Sequence, residues 1–264
     1  MAAALARERR SVVVVDADLE GANLHTCVGV PNPRASLADF VAHREEDLAK
    51  LVVETPIPNL RLLQELRRLR CEFVLLDLGA GTHPAVIDYF LAGDEGVLVL
   101  TPEPTSVENA YSFLRAAFYR RLRLTLLAGG ARKLVAQAMD QRNERGIRTP
   151  LDLLREIQAV DPEEGQRFVA SLREFRPRIV VNEVRTADEI KLGFAVKSVC
   201  QKYFGIEADY LGYVNHDEAA RRSVLSRRPL VEIEPSSDAA VYIGRIARKL
   251  LAAAPPRRAT AAPR

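Results

Sequence analysis

The stretch SVVVVDADLEGANL, residues 11–24, constrains the chain more than any other. Four consecutive valines leave no polar face, so a strand built from them belongs inside a parallel sheet that is covered on both sides. The run stops at Asp16; Asp18, Gly21 and Asn23 follow. Ligands of open α/β sheets sit just outside this carboxyl edge. Two carboxylates there have two uses. They can hold a hydrated magnesium ion and orient a water, or they can simply form a polar turn. An isolated D-x-D does not choose between them.

The rest of the chain alternates strands with helices. Residues 2–9 read as the end of a helix, rich in strong formers but with no capping residue at its start. Residues 36–41, 45–51 and 61–70 read as helical, with prolines around 31–33 and 55–59 marking loops. Phe73–Leu76 is a second buried strand, ending in Asp77, and Gly79-Ala80-Gly81-Thr82 follows as a flexible loop before a helix opened by Pro84. Residues 96–100 form a third strand. Thr105 and Glu108 have capping-box spacing, and Val107, Ala110, Tyr111, Leu114 and Phe118 make an apolar stripe of helical period. Charged helices without intervening strands fill about 128–176, as an inserted helical layer. Ile179–Val181 is a fourth strand, ending at Asn182. Thr186 and Glu189 repeat the capping-box spacing for a helix to about Tyr203. Residues 210–214 form a fifth strand, 218–226 a helix, 230–233 a short extended piece and 237–251 a final amphipathic helix. The Pro/Ala/Arg tail, 253–264, is expected to be disordered. The expected architecture is one α/β domain over 1–252, with a mostly parallel sheet and helices on both faces.

Composition narrows the function. A net charge of +3 over 264 residues does not by itself imply nucleic acid. Three scattered cysteines without a CxxC argue against a disulfide framework or zinc site and for a reducing cytoplasm. The four histidines have no metal-ligand spacing. No secretory leader or membrane-length apolar run is expected. A G-x-G-x-x-G and a G-x-S-x-G are both absent, which removes a Rossmann dehydrogenase and a serine hydrolase.

Three strands thus end in a polar group with a job: Asp16 with Asp18, Asp77 before a glycine loop, and Asn182. A hydrophobic strand with a terminal Asp and a glycine loop is the Walker-B arrangement, in which the carboxylate steadies Mg²⁺ on nucleotide phosphates. Glycines let the loop approach a phosphate and rearrange. An Asn can read an adenine edge through its paired donor and acceptor.

These segments, with VLVLTPEPTSVENAYSFLRAAF, IVVNEV and LGYVNHDEAARRSVLSRRPLV, resemble the MinD/ParA family of deviant-Walker P-loop ATPases, and within it the FlhG-like branch that sets flagellar number and placement. The resemblance covers nearly all of 5–251. It implies a P-loop NTPase-like fold, ATP and Mg²⁺ as cofactors, a nucleotide-dependent homodimer and a protein partner in a positioning system. It implies that Asp16 and Asp77 hold the metal largely through water and that Asp18 orients the attacking water. It places Gly81 in the switch loop, Asn182 at the adenine and the stretch ending in Asp217 beside the base.

The sequence departs from the family in two respects. Relatives carry a strand and a GKGGVGK[ST] loop before the helix that reads here as AAALARERR, and no G-x-x-x-x-G-K-[ST] occurs in the 264 residues. The expected fold is therefore N-terminally truncated. Loss of that strand, normally central, should expose apolar faces and unpaired edges. ATP binding is expected to be weakened or lost without the phosphate cradle. A second joint, where 59–63 runs into 64–70, fuses two elements that the family separates. Two further possibilities stay open: a non-catalytic interaction scaffold (a pseudo-ATPase), and a truncated gene product. The basic helix faces around Arg115, Arg120, Arg121 and Arg123 are better explained by solvation than by DNA, and the tail lacks the bulky apolar residues of a membrane anchor.

Overall fold

The computed structural model describes residues 1–18, 23–30, 52–63, 71–125 and 146–253. Helix α1 (Ala2–Arg7) runs into β1 (Val12–Asp16), whose four valines are at most 3 % exposed. After α2 (Leu24–Cys27) come β2 (Val52–Glu54), β3 (Leu60–Leu63) and β4 (Phe73–Asp77). These strands form one half-sheet in the order β2-β3-β1-β4, parallel except for β2. Helix α3 (Pro84–Ala92) leads to β5 (Val97–Leu100) and the long α4 (Pro104–Thr125); α5 (Pro150–Val160) and α6 (Pro162–Glu174) precede β6 (Arg178–Val184). Then α7 (Ala187–Ile190), α8 (Leu192–Val199) and a π-turn (Cys200–Phe204) lead to β7 (Asp209–Asn215). The chain closes with α9 (Glu218–Leu225), α10 (Leu230–Ile233) and α11 (Asp238–Ala253). Strands β5-β6-β7 make a second, parallel half-sheet.

Helices cover both faces. On one side α1 and α11 bury a cluster that joins Val14 and Leu62 of the first half-sheet to Val180 and Leu211 of the second. On the other, α3, α4, α5, α6 and α8 enclose Leu100 and Ile179 around a set of aromatic rings. The fold is the expected α/β arrangement of mostly parallel strands with helices on both faces.

Several local expectations hold for the reasons stated. The capping box at Thr186 and Glu189 is formed in both directions. Pro84 occupies the first position of α3, and the His83 ring Nδ1 accepts from the Ala85 amide.

Others fail. The Thr105/Glu108 box does not form, because α4 begins one residue earlier at Pro104 and the Ser106 hydroxyl accepts from Thr101 N instead. Residues 60–63 are strand β3 rather than helix, since Leu60 and Leu62 fill the core beneath α1 and the segment pairs with β1. Strand β2 was not foreseen. The 230–233 piece is the helical turn α10, burying Leu230 and Val231. The long helix after Thr186 divides at Lys191 and ends in the π-turn. The expected helices at 36–41, 45–51 and 131–145, and the tail beyond Ala253, lie outside the described residues.

Candidate functional site

Strands β1 and β4 run in parallel register, Asp16 beside Asp77, so the two acids leave the half-sheet at the same level. The Ala17 amide donates to the Asp77 carbonyl at 2.9 Å and extends the ladder one step past the acids. Asp16 is held by its own loop: Oδ1 accepts from Asp18 N at 3.3 Å and Oδ2 from Leu24 N at 2.9 Å. Asp18 lies over the start of the loop that follows β4. A Cβ on Gly79 would come within 2.9 Å of its Oδ1, so a larger residue there would push the carboxylate aside. Gly81, two residues on, has φ +103° and open space around it, a backbone state that any other residue adopts only with strain.

The electrostatics follow from this crowding. Burial, followed by the Asp16 and Asp18 charges, raises the Asp77 carboxyl above the usual carboxylate range. The Met1 ammonium opposes that rise. It lies at the start of α1 in the field of Asp77, and burial pushes its own pKa down. The Cys27 thiol is raised by burial and by Asp77 and Asp16. Among the described residues no three His, Cys, Asp or Glu side chains are placed to hold a bare metal ion. The donor set fits a hydrated one: oxygen only, crowded with negative charge that a hard divalent cation relieves.

Asn182 lies in β6 of the second half-sheet, and Asp217 follows the end of β7. Val181 pairs with Tyr213 and Val184 with Asn215, so Asn182 and Glu183 stand opposite Val214 alone. This is a β-bulge, and Glu183 takes φ +58° to accommodate it. Bulges of this kind re-aim side chains beside functional sites. The expected strand end at Asn182 is thus a bulge inside β6, which continues to Val184. Asp217 caps α9 through Ala219 N at 2.8 Å and ties the start of α11 through Ala239 N at 3.1 Å. These two amides hold its carboxyl below the usual range.

At the carboxyl ends of β6 and β7 lies an open cleft of about 530 Å³, lined by Arg185, Tyr213, Asn215, His216 and Asp238 among others. Sequence inspection passed over Arg185, which hydrogen-bonds the His216 ring at 3.1 Å, and over Met1 and Cys27 beside the acids. The signal available was position alone: His216 directly precedes Asp217, and Cys27 lies a few residues beyond the D-x-D. The acids therefore converge at the carboxyl end of one half-sheet, while Asn182 and Asp217 sit at the carboxyl end of the other.

The double role of Asp217 is testable through its pH dependence. Its folded pKa is depressed, so the stabilisation is complete above the unfolded carboxylate value and disappears as pH falls through the folded one. Asp217→Ala is expected to cost about 1 kcal/mol at pH 7, the usual loss for an N-cap. Chemical denaturation should show that difference shrinking once pH falls below the unfolded carboxylate value of about 4.

No protein-family model matches the chain. FleN, an antiactivator from Pseudomonas aeruginosa, is 23% identical over 271 aligned positions, covering 95% of this chain and 79% of FleN. Among solved structures, the cell division ATPase MinD of Pyrococcus furiosus superimposes with a TM-score of 0.59 at 19% identity, covering 96% of this chain and 90% of that one. The septum site-determining protein MinD of Pyrococcus horikoshii, complexed with Mg-ADP, gives a TM-score of 0.59 at 18% identity, covering 96% and 88%.

Proposed function

We propose that this chain, which has the MinD/ParA fold and resembles FleN over nearly its whole length, is an FlhG-like nucleotide switch that acts on a protein partner in placing flagella or a similar polar structure in the cytoplasm. The observation that carries this is the meeting of Asp16, Asp18 and Asp77 over a glycine loop at a parallel sheet's carboxyl edge.

When bound, Mg·ATP supplies a hydrolysable γ-phosphate and a divalent charge. Asp16 and Asp77 would hold the metal's water shell. Asp18 would orient a water toward the γ-phosphate. Its place over Gly79 ties it to the loop that must sense that phosphate. Gly81 gives this loop freedom to rearrange. Asn182, released from the β6 ladder by the bulge, would read the adenine edge. Asp217 would fix the base-side segment through its two amide contacts. An ATP-dependent homodimer fits such a switch.

Without a G-x-x-x-x-G-K-[ST] in the sequence, the phosphates lack their amide nest and lysine. We therefore assign this chain weak nucleotide binding and no family-like turnover. The 264-residue protein should show a saturable rise in Tm with Mg·ADP that Asp77→Ala removes, and no phosphate release dependent on Asp18. Magnesium-dependent turnover abolished by Asp18→Ala would overturn the second statement. Partner binding indifferent to nucleotide and to Asp77→Ala would replace the switch by a non-catalytic scaffold. That second reading is favoured by the lack of a G-x-x-x-x-G-K-[ST] among the 264 residues. Among the described residues no helix is long and apolar enough to cross a membrane.

A further inference from the structure

We propose that Arg185 clamps the base of the nucleotide in the cleft at the carboxyl ends of β6 and β7, with its guanidinium stacked on the ring and His216 holding it in place. This rests on the reading of the chain as a nucleotide switch and adds to it a pair of residues to which the resemblance gives no role.

Both residues have a fixed backbone. Arg185 is the first residue after β6, and its amide donates to Glu189 Oε2 at 2.6 Å, inside the capping network that starts α7. His216 is the first residue after β7, and its amide donates to Val184 O at 2.8 Å. The two side chains leave neighbouring strand ends and meet across the rim of the cleft, Arg185 Nη2 lying 3.1 Å from His216 Nδ1.

Chemistry fixes the direction of that bond. A guanidinium has no acceptor, so Nδ1 offers its lone pair and the ring proton sits on Nε2. Nε2 faces Glu218 Oε1 at 3.8 Å, which favours the proton on that side. A neutral imidazole therefore orients the arginine without cancelling its charge. The Arg185 guanidinium makes no ion pair among the described residues. Arg178, at the opposite end of the same strand, is paired with Glu95.

The cleft suits a flat ring. Its volume of about 530 Å³ lies within the usual range of small-molecule sites. Val184, Ala187 and Ile190 give it an apolar side. Asn215 Nδ2 donates to Asp238 Oδ2 at 2.5 Å, which leaves the Asn215 amide oxygen and the other Asp238 oxygen to receive the amino group of a base. Asn182 lies three residues before Arg185, on the bulge of the same strand. Guanidinium planes stack on nucleobases and are attracted to their faces. A phosphate group is a poorer match, because the carboxylates of Glu189, Glu218 and Asp238 stand around the same rim.

Thermal-shift titrations of the 264-residue chain with Mg·ADP, and with Mg·pyrophosphate, which has no base, test the assignment. Arg185→Ala should weaken Mg·ADP binding about tenfold, as loss of a desolvated cation–π contact does, and leave Mg·pyrophosphate binding as it was. Arg185→Lys keeps the charge but not the flat fork. It should resemble the alanine variant, and it decides the matter should that variant not fold. His216→Ala should weaken Mg·ADP binding by about threefold, the scale of one hydrogen bond. His216→Gln, whose amide oxygen can accept from the guanidinium, should restore it. A glutamine variant as weak as the alanine one would remove the positioning role of His216. Equal losses for both ligands, or none in either arginine variant, would overturn the role of Arg185 while leaving the switch in place, provided that Asp77→Ala still removes the Mg·ADP response. An unaltered chain that binds no Mg·ADP would overturn both.

Discussion

Phe118→Ala is expected to lower the stability of this protein by about 3–5 kcal/mol, a large share of what a domain of this size has in total. Phe118 is fully buried in α4. Its ring meets Phe168 of α6 edge-on at 5.2 Å, and Phe204 of the π-turn in a tilted contact at 6.1 Å. Truncation removes the transfer energy of the ring, leaves a cavity among helices that cannot collapse independently, and breaks aromatic contacts worth about 0.5–1.5 kcal/mol beyond area. Tm should fall by roughly 6–20 °C for a chain of this length. The effect should be confined to stability, because Phe118 lies in the helical cluster over β5 and β6, apart from the acids on β1 and β4. A useful contrast is Phe194→Ala: that ring touches Tyr210 at 4.9 Å but is 61 % exposed, so its loss should cost under about 1 kcal/mol. Urea denaturation of both variants gives the comparison; a loss below 1.5 kcal/mol for Phe118→Ala would contradict the packing described.

What could be read from the sequence follows the range of the forces involved. The valine strand, the strand to Asp77, Pro84 at a helix start and the Thr186/Glu189 box are decided by residues within a turn or two, and the structure bears them out. Residues 60–63 were misjudged because leucine spacing there suits a helix, whereas pairing with β1 and β2, distant in sequence, makes them strand. Strand β2 is three residues long and carries no periodic signal. The bulge at Asn182 and Glu183 depends on how β6 registers with β7, which no local pattern encodes. The same distinction applies to the site. Strand-terminal acids could be named from pattern, but the approach of Asp18 to Gly79 and of Met1 to Asp77 arises only when α1, β1 and β4 are assembled.

Asp77→Asn should stabilise the metal-free protein and abolish its response to Mg·ADP, two effects of opposite sign from one substitution. Asparagine keeps the shape of aspartate and removes its charge. In the folded chain that charge is disfavoured by burial and by Asp16 and Asp18, with partial relief from the Met1 ammonium. A carboxylate whose pKa rises on folding opposes folding at neutral pH; a gain in stability is therefore expected for the variant. Proteins commonly carry such a cost where a site must receive a cation. Mg²⁺ with ADP, binding only the native state, should raise the Tm of the unaltered chain by mass action. The variant should lose that rise, because Asp16 alone offers one carboxylate whose two oxygens already accept from Asp18 N and Leu24 N. A polar turn without function predicts something different: Asp77→Asn would change stability and leave the Mg·ADP response as it was. Thermal denaturation of both proteins with EDTA and with Mg·ADP separates the two, and a variant that is both less stable and equally responsive would remove the acids from any role in holding a metal.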